Sequence, residues 1–241
     1  SEKTDLCCLF AFYTLIRKHY SHVGNTARTM EYALKSYNIQ KSKGENPALF
    51  WLLVDVGNIF FEVREFDPAR KFYKKALKLA VKLDDPYGLS VVHLNLGLVA
   101  EQKKEYDVAL VEFRQSGYFR GLSGNKKLMA SAYVNMANIF FEMKAIDSAF
   151  YYTRQAEYYY ESLGEETDLL IEIPALIDFG YYRYYASLKD YSKGNVFLEK
   201  SREYIKEKRL LGPYIGSYEI ETEILLAEGM YEKAIASMLE I

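Results

Sequence analysis

Three histidines, His19, His22 and His93, and two adjacent cysteines, Cys7 and Cys8, are the side chains that first invite a chemical reading. His19 and His22 stand three apart, so a helix would place them on one face, where they could share a metal. No carboxylate or thiol completes that set at ligand spacing, and the pair reads as an exposed helix end. His93 lies beside Leu94 and reads as a packed or groove-lining residue rather than a base. Neighbouring cysteines cannot bridge distant segments, and no CxxC accompanies them. The phosphate-cradling and nucleophile patterns Gly-x-x-x-x-Gly-Lys-Ser/Thr, Gly-x-Gly-x-x-Gly and Gly-x-Ser-x-Gly are absent. Gly121-Leu122-Ser123-Gly124 reads as a turn between units. The expectation is a chain without catalysis, metal or cofactor.

Composition points the same way. Half of the 241 residues are hydrophobic and 16% are aromatic, enough for a sizeable interior. Lys and Arg number 31 against 33 Asp and Glu, a net charge of -2, so nothing marks a binder of nucleic acid. No run of about 18 apolar residues is present, and membrane insertion is not expected. The stretch Leu6 to Ile16 is interrupted by Thr14 and followed by Arg17, Lys18 and His19, and reads as a first repeat helix rather than a signal core. The cytoplasm and the periplasm both stay open as compartments. The chain begins at Ser1 and stops at Ile241 within an expected helix, as a trimmed piece of a longer protein would.

The elements that position these residues repeat. Asn58-Ile59-Phe60-Phe61-Glu62 recurs letter for letter as Asn138-Ile139-Phe140-Phe141-Glu142, with Leu96-Gly97-Leu98-Val99-Ala100-Glu101 halfway between. Gly57, Gly97 and Ala137 fall 40 apart, as do Ala69, Ala109 and Ala149, and Asp67, Asp107 and Asp147. The step from Ala149 to Gly194 is 45, which places an insertion of about five residues near Gly164 to Pro174. Each unit reads as two helices, in the second unit roughly 48–64 and 68–82. Small Gly57 and Ala69 let helices approach, and Phe60, Phe66, Tyr73 and Leu77 fill the space around them. Asp67, Asp107, Asp147 and Ser192 are expected to cap the second helices. All five prolines, at 47, 68, 86, 174 and 213, fit helix starts.

This pattern of a small residue, a turn aromatic and then Ala–bulky–Ala resembles the tetratricopeptide repeat superfamily. It stands as Gly57, Phe66, Ala69, Tyr73, Ala76, again as Gly97, Tyr106, Ala109, Phe113, and as Ala137, Ile146, Ala149, Ala156. Ordinary units of that family have about 34 residues, so longer helices are expected here. The resemblance implies an all-α, right-handed superhelix of about six helix pairs in a single domain, with units near 1–45, 46–84, 85–124, 125–165, 166–210 and an incomplete 211–241. Long-period arrays of this kind are similar to sensor regions of bacterial, Bacteroidetes-type regulators, to LuxR-type regulators and to peptide-pheromone receptors.

The resemblance further implies that first helices line a concave groove for a protein or peptide. Mapped onto this chain, the groove positions are Asn58, Phe61 and Glu62, then Leu94, Asn95, Leu98 and Glu101, then Asn135, Asn138, Phe141 and Glu142. Asn can donate and accept at once, which suits a peptide backbone, or it can serve the next repeat. Phe61 and Phe141 are candidate anchor pockets. The places where chaperone-binding relatives clamp a carboxylate hold Val54, Ser131 and Asn135, none of them basic, while Glu62 and Glu142 suit a Lys or Arg of a partner. Tyrosines 158–160, 181–182 and 184–185 are expected to pack between helices. Arg183 among them could stack on a ring or meet an anion. The alternative to peptide binding is a scaffold that self-associates, as a homodimer for instance, through its open ends or this tyrosine-rich region.

Overall fold

The computed structural model describes residues 2–122, 127–162 and 171–239. Two compact bodies divide the chain. Residues 1–123 carry α1 (Glu2–His22), α2 (Thr26–Ser42), α3 (Pro47–Glu62), α4 (Phe66–Lys82), α5 (Pro86–Gln102) and α6 (Tyr106–Leu122). Residues 124–241 carry α7 (Lys127–Glu142), α8 (Ile146–Glu161), α9 (Ile173–Ser187), α10 (Tyr191–Lys208), α11 (Leu211–Ala227) and α12 (Tyr231–Met238). No strand occurs among the described residues. Within each body every helix packs on the next in sequence, and first helices also touch one another, α3 on α5 and α7 on α9 on α11. Helices α3 to α8 have 16 or 17 residues each, which accounts for the length of a unit.

The turn inside each pair is built the same way. After α3, Val63 closes the helix and Arg64 takes φ 62°. Arg64 N donates to Phe61 O at 2.9 Å and Glu65 N to Phe60 O at 2.8 Å, the two bonds of a Schellman motif. Lys104, Lys144, Lys189 and Gly229 hold the same place with φ of 57°, 58°, 60° and 74°. Arg64, Lys104 and Lys144 recur at intervals of 40, and Lys189 follows after 45. Of the expected turn at 121–124, Gly121 and Leu122 instead belong to the last turn of α6, whose helical pattern runs on through them, while 123–124 and residues 164–170 of the expected insertion lie outside the described residues.

This turn corrects the expected caps. It leaves the chain helical from Phe66, Tyr106 and Ile146, two residues earlier than caps at the aspartates would allow. Asp67, Asp107 and Asp147 therefore sit inside the first turn, where a carboxylate still meets the positive end of the helix dipole. Glu65 and Ala145 occupy the cap positions of α4 and α8 without a side-chain bond. For α10 the cap is Asp190, whose carboxylate accepts from Lys193 N at 3.2 Å, and not Ser192. Side-chain caps also open α3 and α5: Asn46 accepts from Leu49 N at 3.0 Å and Asp85 from Gly88 N at 2.9 Å, each before a proline at the first helical position.

Packing follows the small-and-large alternation. Tyr73 and Phe113 are fully buried, each ring lying close against the glycine of its partner helix. A Cβ at Gly57 would come within 2.4 Å of the Tyr73 ring, and one at Gly97 within 2.5 Å of the Phe113 ring. In the third of these pairs Ala137 replaces glycine and Thr153 replaces the ring. Thr153 in turn leaves no room at Gly180 of α9, where a Cβ would meet its Oγ1 at 2.6 Å. Around these contacts Leu49, Phe50, Leu53, Ala76, Leu79 and Val92 form the core of the first body, and Ala175, Phe179, Tyr182, Leu198 and Ile205 part of that of the second.

Because a buried ring has no exit, Gly97→Ala should overpack the α5–α6 contact and lower stability by about 1–3 kcal/mol in urea unfolding. Adding Phe113→Leu should recover part of that loss, since a smaller side chain returns the volume.

Candidate functional site

The positions expected to line a groove fall on two walls, which are described separately. In the first body they lie on α3 and α5. Asn58 is half-buried, and its Oδ1 accepts from the Tyr73 hydroxyl at 2.7 Å and from Asn95 Nδ2 at 3.3 Å. Burial, with the charge of Glu62 second, pushes the Tyr73 phenol well above its ordinary range and keeps it a donor. The hydroxyl thus holds the Asn58 amide in one orientation, and Asn58 holds Asn95. What remains directed elsewhere is Asn58 Nδ2 and Asn95 Oδ1, neither of which has a hydrogen-bond partner among the described residues.

The same position in the next unit is Leu98, and the ring opposite it is Phe113, which has no hydroxyl. Polar side chain thus meets polar ring in one unit, and apolar meets apolar in the next. Leu94, Leu98 and Glu101 are half-buried on α5, whereas Glu62 is exposed at the end of α3. Phe61 packs edge-on against Phe66, with ring centres 5.6 Å apart. Val54, at a clamp position, is buried and turned into the core.

Two further contacts on this wall carried no signal in the repeat. Arg17 of α1 pairs with Asp55 of α3 at 2.9 Å, and burial raises the Asp55 carboxyl against the pull of Arg17 and Lys18. His93 Nδ1 meets Glu112 Oε2 at 2.7 Å while its ring stacks on Phe119 at 5.5 Å, so this histidine is packed and bonded. The partners are 38, 19 and 26 residues away, beyond any motif window. His19 and His22 are exposed in the last turn of α1, and no group of metal-binding side chains occurs among the described residues.

In the second body Asn135, Asn138, Phe141 and Glu142 lie on α7 and Arg183 on α9. The Arg183 guanidinium does both things its chemistry offers. It covers the Phe141 ring at 4.4 Å and donates to Glu142 Oε1 at 2.9 Å. Phe141 is only 6% exposed, so an incoming anchor would have to lift Arg183 first. Asn135, with Ser131, Val134, Glu172 and Leu176, lines a cavity of about 370 Å³. Tyr181 and Tyr182 are buried, Tyr184 stacks on Phe150 at 3.9 Å, and Tyr158 is exposed. The tyrosines of this region are thus mostly packing side chains.

No protein-family model matches the sequence, and no curated protein matches it. Solved structures do. Aspartyl phosphate phosphatase F from Bacillus subtilis aligns with a TM-score of 0.78 at 18% identity, over 96% of this chain and 58% of its own. The Rap conjugation gene regulator of the plasmid pLS20, solved in complex with a Phr peptide, gives 0.69 at 15% identity, over 96% of this chain and 61% of its own. A tetratricopeptide repeat protein from Parabacteroides merdae gives 0.61 at 13%, over 96% and 78%. This chain therefore spans about three fifths of the length of the first two (58% and 61%). At such identities the likeness establishes the fold, an all-α, tetratricopeptide-like helical repeat.

The Tyr73–Asn58 bond makes a cycle. Asn58→Ala leaves a buried phenol without its acceptor and should cost about 1–3 kcal/mol, while Tyr73→Phe should cost about 0.5–1.5 kcal/mol. The pair Asn58→Leu with Tyr73→Phe copies the Leu98–Phe113 arrangement and should return most of the stability, with a coupling visible in a double-mutant cycle of urea midpoints.

Proposed function

We propose that this tetratricopeptide-like repeat binds an extended peptide segment along its first helices, as the sensor or interaction part of a larger bacterial regulatory protein. The observation that carries the proposal is the oriented amide pair on α3 and α5. Asn58 offers N–H donors and Asn95 a carbonyl acceptor, side by side on adjacent first helices. An extended backbone presents one acceptor and one donor per residue, and this pair complements both without reading a side chain. The buried Tyr73 hydroxyl sets the orientation before any ligand arrives, which lowers the ordering cost of binding.

The likeness to a regulator solved with a peptide supports the same direction. Exposed Glu62 at the end of α3 suits a basic residue of the bound segment. The proposed role is binding rather than catalysis, and the phosphatase name belongs to the similar protein alone.

Asn95→Ala is the sharper test, because it removes half of the amide pair and leaves the Tyr73–Asn58 bond intact. Linear 12-residue peptides selected against the chain from a random display library should bind the wild type saturably. They should bind Asn95→Ala at least tenfold more weakly, at a melting temperature within about 3 °C of normal, the range of roughly one kcal/mol. Failure to enrich any linear sequence, or equal affinity for both proteins, would overturn the proposal.

A further inference from the structure

Helix α4 carries a row of five exposed lysines. Lys71, Lys74, Lys75, Lys78 and Lys82 are all exposed and follow one another at helical spacing, so they lie within one narrow stripe about three turns long. The opposite side of the same helix, Ala69, Tyr73, Ala76 and Ala80, is buried. Lys82 pairs with Glu45 at 2.6 Å. Lys71, Lys74, Lys75 and Lys78 have no ion pair among the described residues. A solvated helical face has no need of such a row. Helix α2 alternates its charges, with Glu31 held between Arg28 and Lys35. In α4 each lysine instead faces another three or four residues away, an arrangement that repels itself.

The stripe also borders two clefts. One, of about 390 Å³, runs along Pro68 and Phe72 between Lys71, Lys74, Lys75 and Lys78. The other, of about 330 Å³, is lined by apolar Tyr37, Leu49, Leu53 and Leu79 and by Lys41, Lys75, Lys78 and Lys82, with Glu45 already paired to Lys82. Lys75 and Lys78 belong to both.

We propose that this outer face of α4 docks an acidic segment of a protein partner, with carboxylates along the lysine row and an apolar side chain in the cleft lined by Leu49, Leu53 and Leu79. Opposite charge relieves the repulsion within the row, and the apolar lining gives the contact a hydrophobic anchor. Nucleic acid fits less well. The row contains no arginine for bidentate phosphate contacts. The nearby rings are also engaged, Phe72 stacking on Phe60 at 5.6 Å and meeting the edge of Tyr37 at 5.9 Å, which leaves no free platform for bases. A membrane fits less well too, because the apolar side of α4 is already buried in the core. The face belongs to a second helix and uses nothing of the Asn58–Asn95 wall.

The probe is a fluorescein-labelled 16-residue peptide of Glu, Ala and Gln carrying one pair of Leu four residues apart, followed by anisotropy at low and at physiological salt. Saturable binding is expected, weakened by salt, at least tenfold weaker for K71E/K74E/K78E and several-fold weaker when the Leu pair is replaced by Gln. Asn95→Ala should bind it normally, which separates this surface from the proposed peptide wall. The melting temperature of the triple variant should not fall, since three of the five like-charge pairs in the row become opposite-charge pairs. Should that variant fail to fold, K71Q/K74Q/K78Q takes its place, with about fivefold weakening expected. Absence of saturable binding, equal binding by the variants, or tighter binding of a 16-nucleotide single strand or of phosphatidylserine vesicles than of the peptide would overturn the proposal.

Discussion

The approach of a glycine on one helix to a flat ring on its partner is the constraint from which the rest of each pair follows. Gly57 against Tyr73 and Gly97 against Phe113 leave no room even for a methyl group. A helix can come that near only if its facing residue is small. The ring then fills the groove on either side and reaches full burial, which removes its apolar surface from water and is worth about 1.5–3 kcal/mol for each side chain. Where the ring shrinks to Thr153, the small partner grows to Ala137, and the freed space admits Gly180 of the next first helix. Volume is passed from one contact to the next, as close packing requires.

A second constraint keeps successive pairs in register. Each first helix ends in the same Schellman turn, so each second helix begins a fixed number of residues later and presents its large residue to the same place. Most of these turns put Arg or Lys, not Gly, at positive φ. Such a residue carries local strain, which persists only because both bonds of the motif and the packing on either side hold it. The consequence reaches the surface: the turn fixes Asp67 in the first turn of α4, where Lys103 Nζ bonds its carboxylate at 2.5 Å.

Each of the two walls of first helices is largely occupied with itself. Glu142 is bonded to Arg183, Arg183 covers Phe141, and Asp55 holds Arg17. In the first body it leaves one donor group on Asn58 and one acceptor on Asn95 without a hydrogen-bond partner among the described residues. That the pair is held in one orientation is due to a buried phenol 15 residues away from Asn58 in sequence. Unpaired polar atoms on a rigid support make a better recognition element than a mobile side chain of the same type, because less freedom is lost on binding. The lysine row of α4 is the converse, a set of charges of which only Lys82 has an ion-pair partner among the described residues.

The helical class, the pairing of helices and the small-and-large alternation were legible in the chain itself. They depend on spacing within a helix and on letters repeated along it, and both are local properties. The proline positions were legible for the same reason, since a missing N–H is tolerated only in a first turn. The caps were not: the eye stops at Asp67, Asp107 and Asp147, but the three-residue turn before them starts the helix two residues sooner. Nor could the sequence say which face of the Asn58 amide is used, that Glu142 already has a cation, or that Phe141 is covered. Those outcomes rest on Tyr73, Asn95 and Arg183, which lie 15 to 41 residues from the groups they hold. Only folding brings them within hydrogen-bond distance, and a hydrogen bond has no existence beyond it.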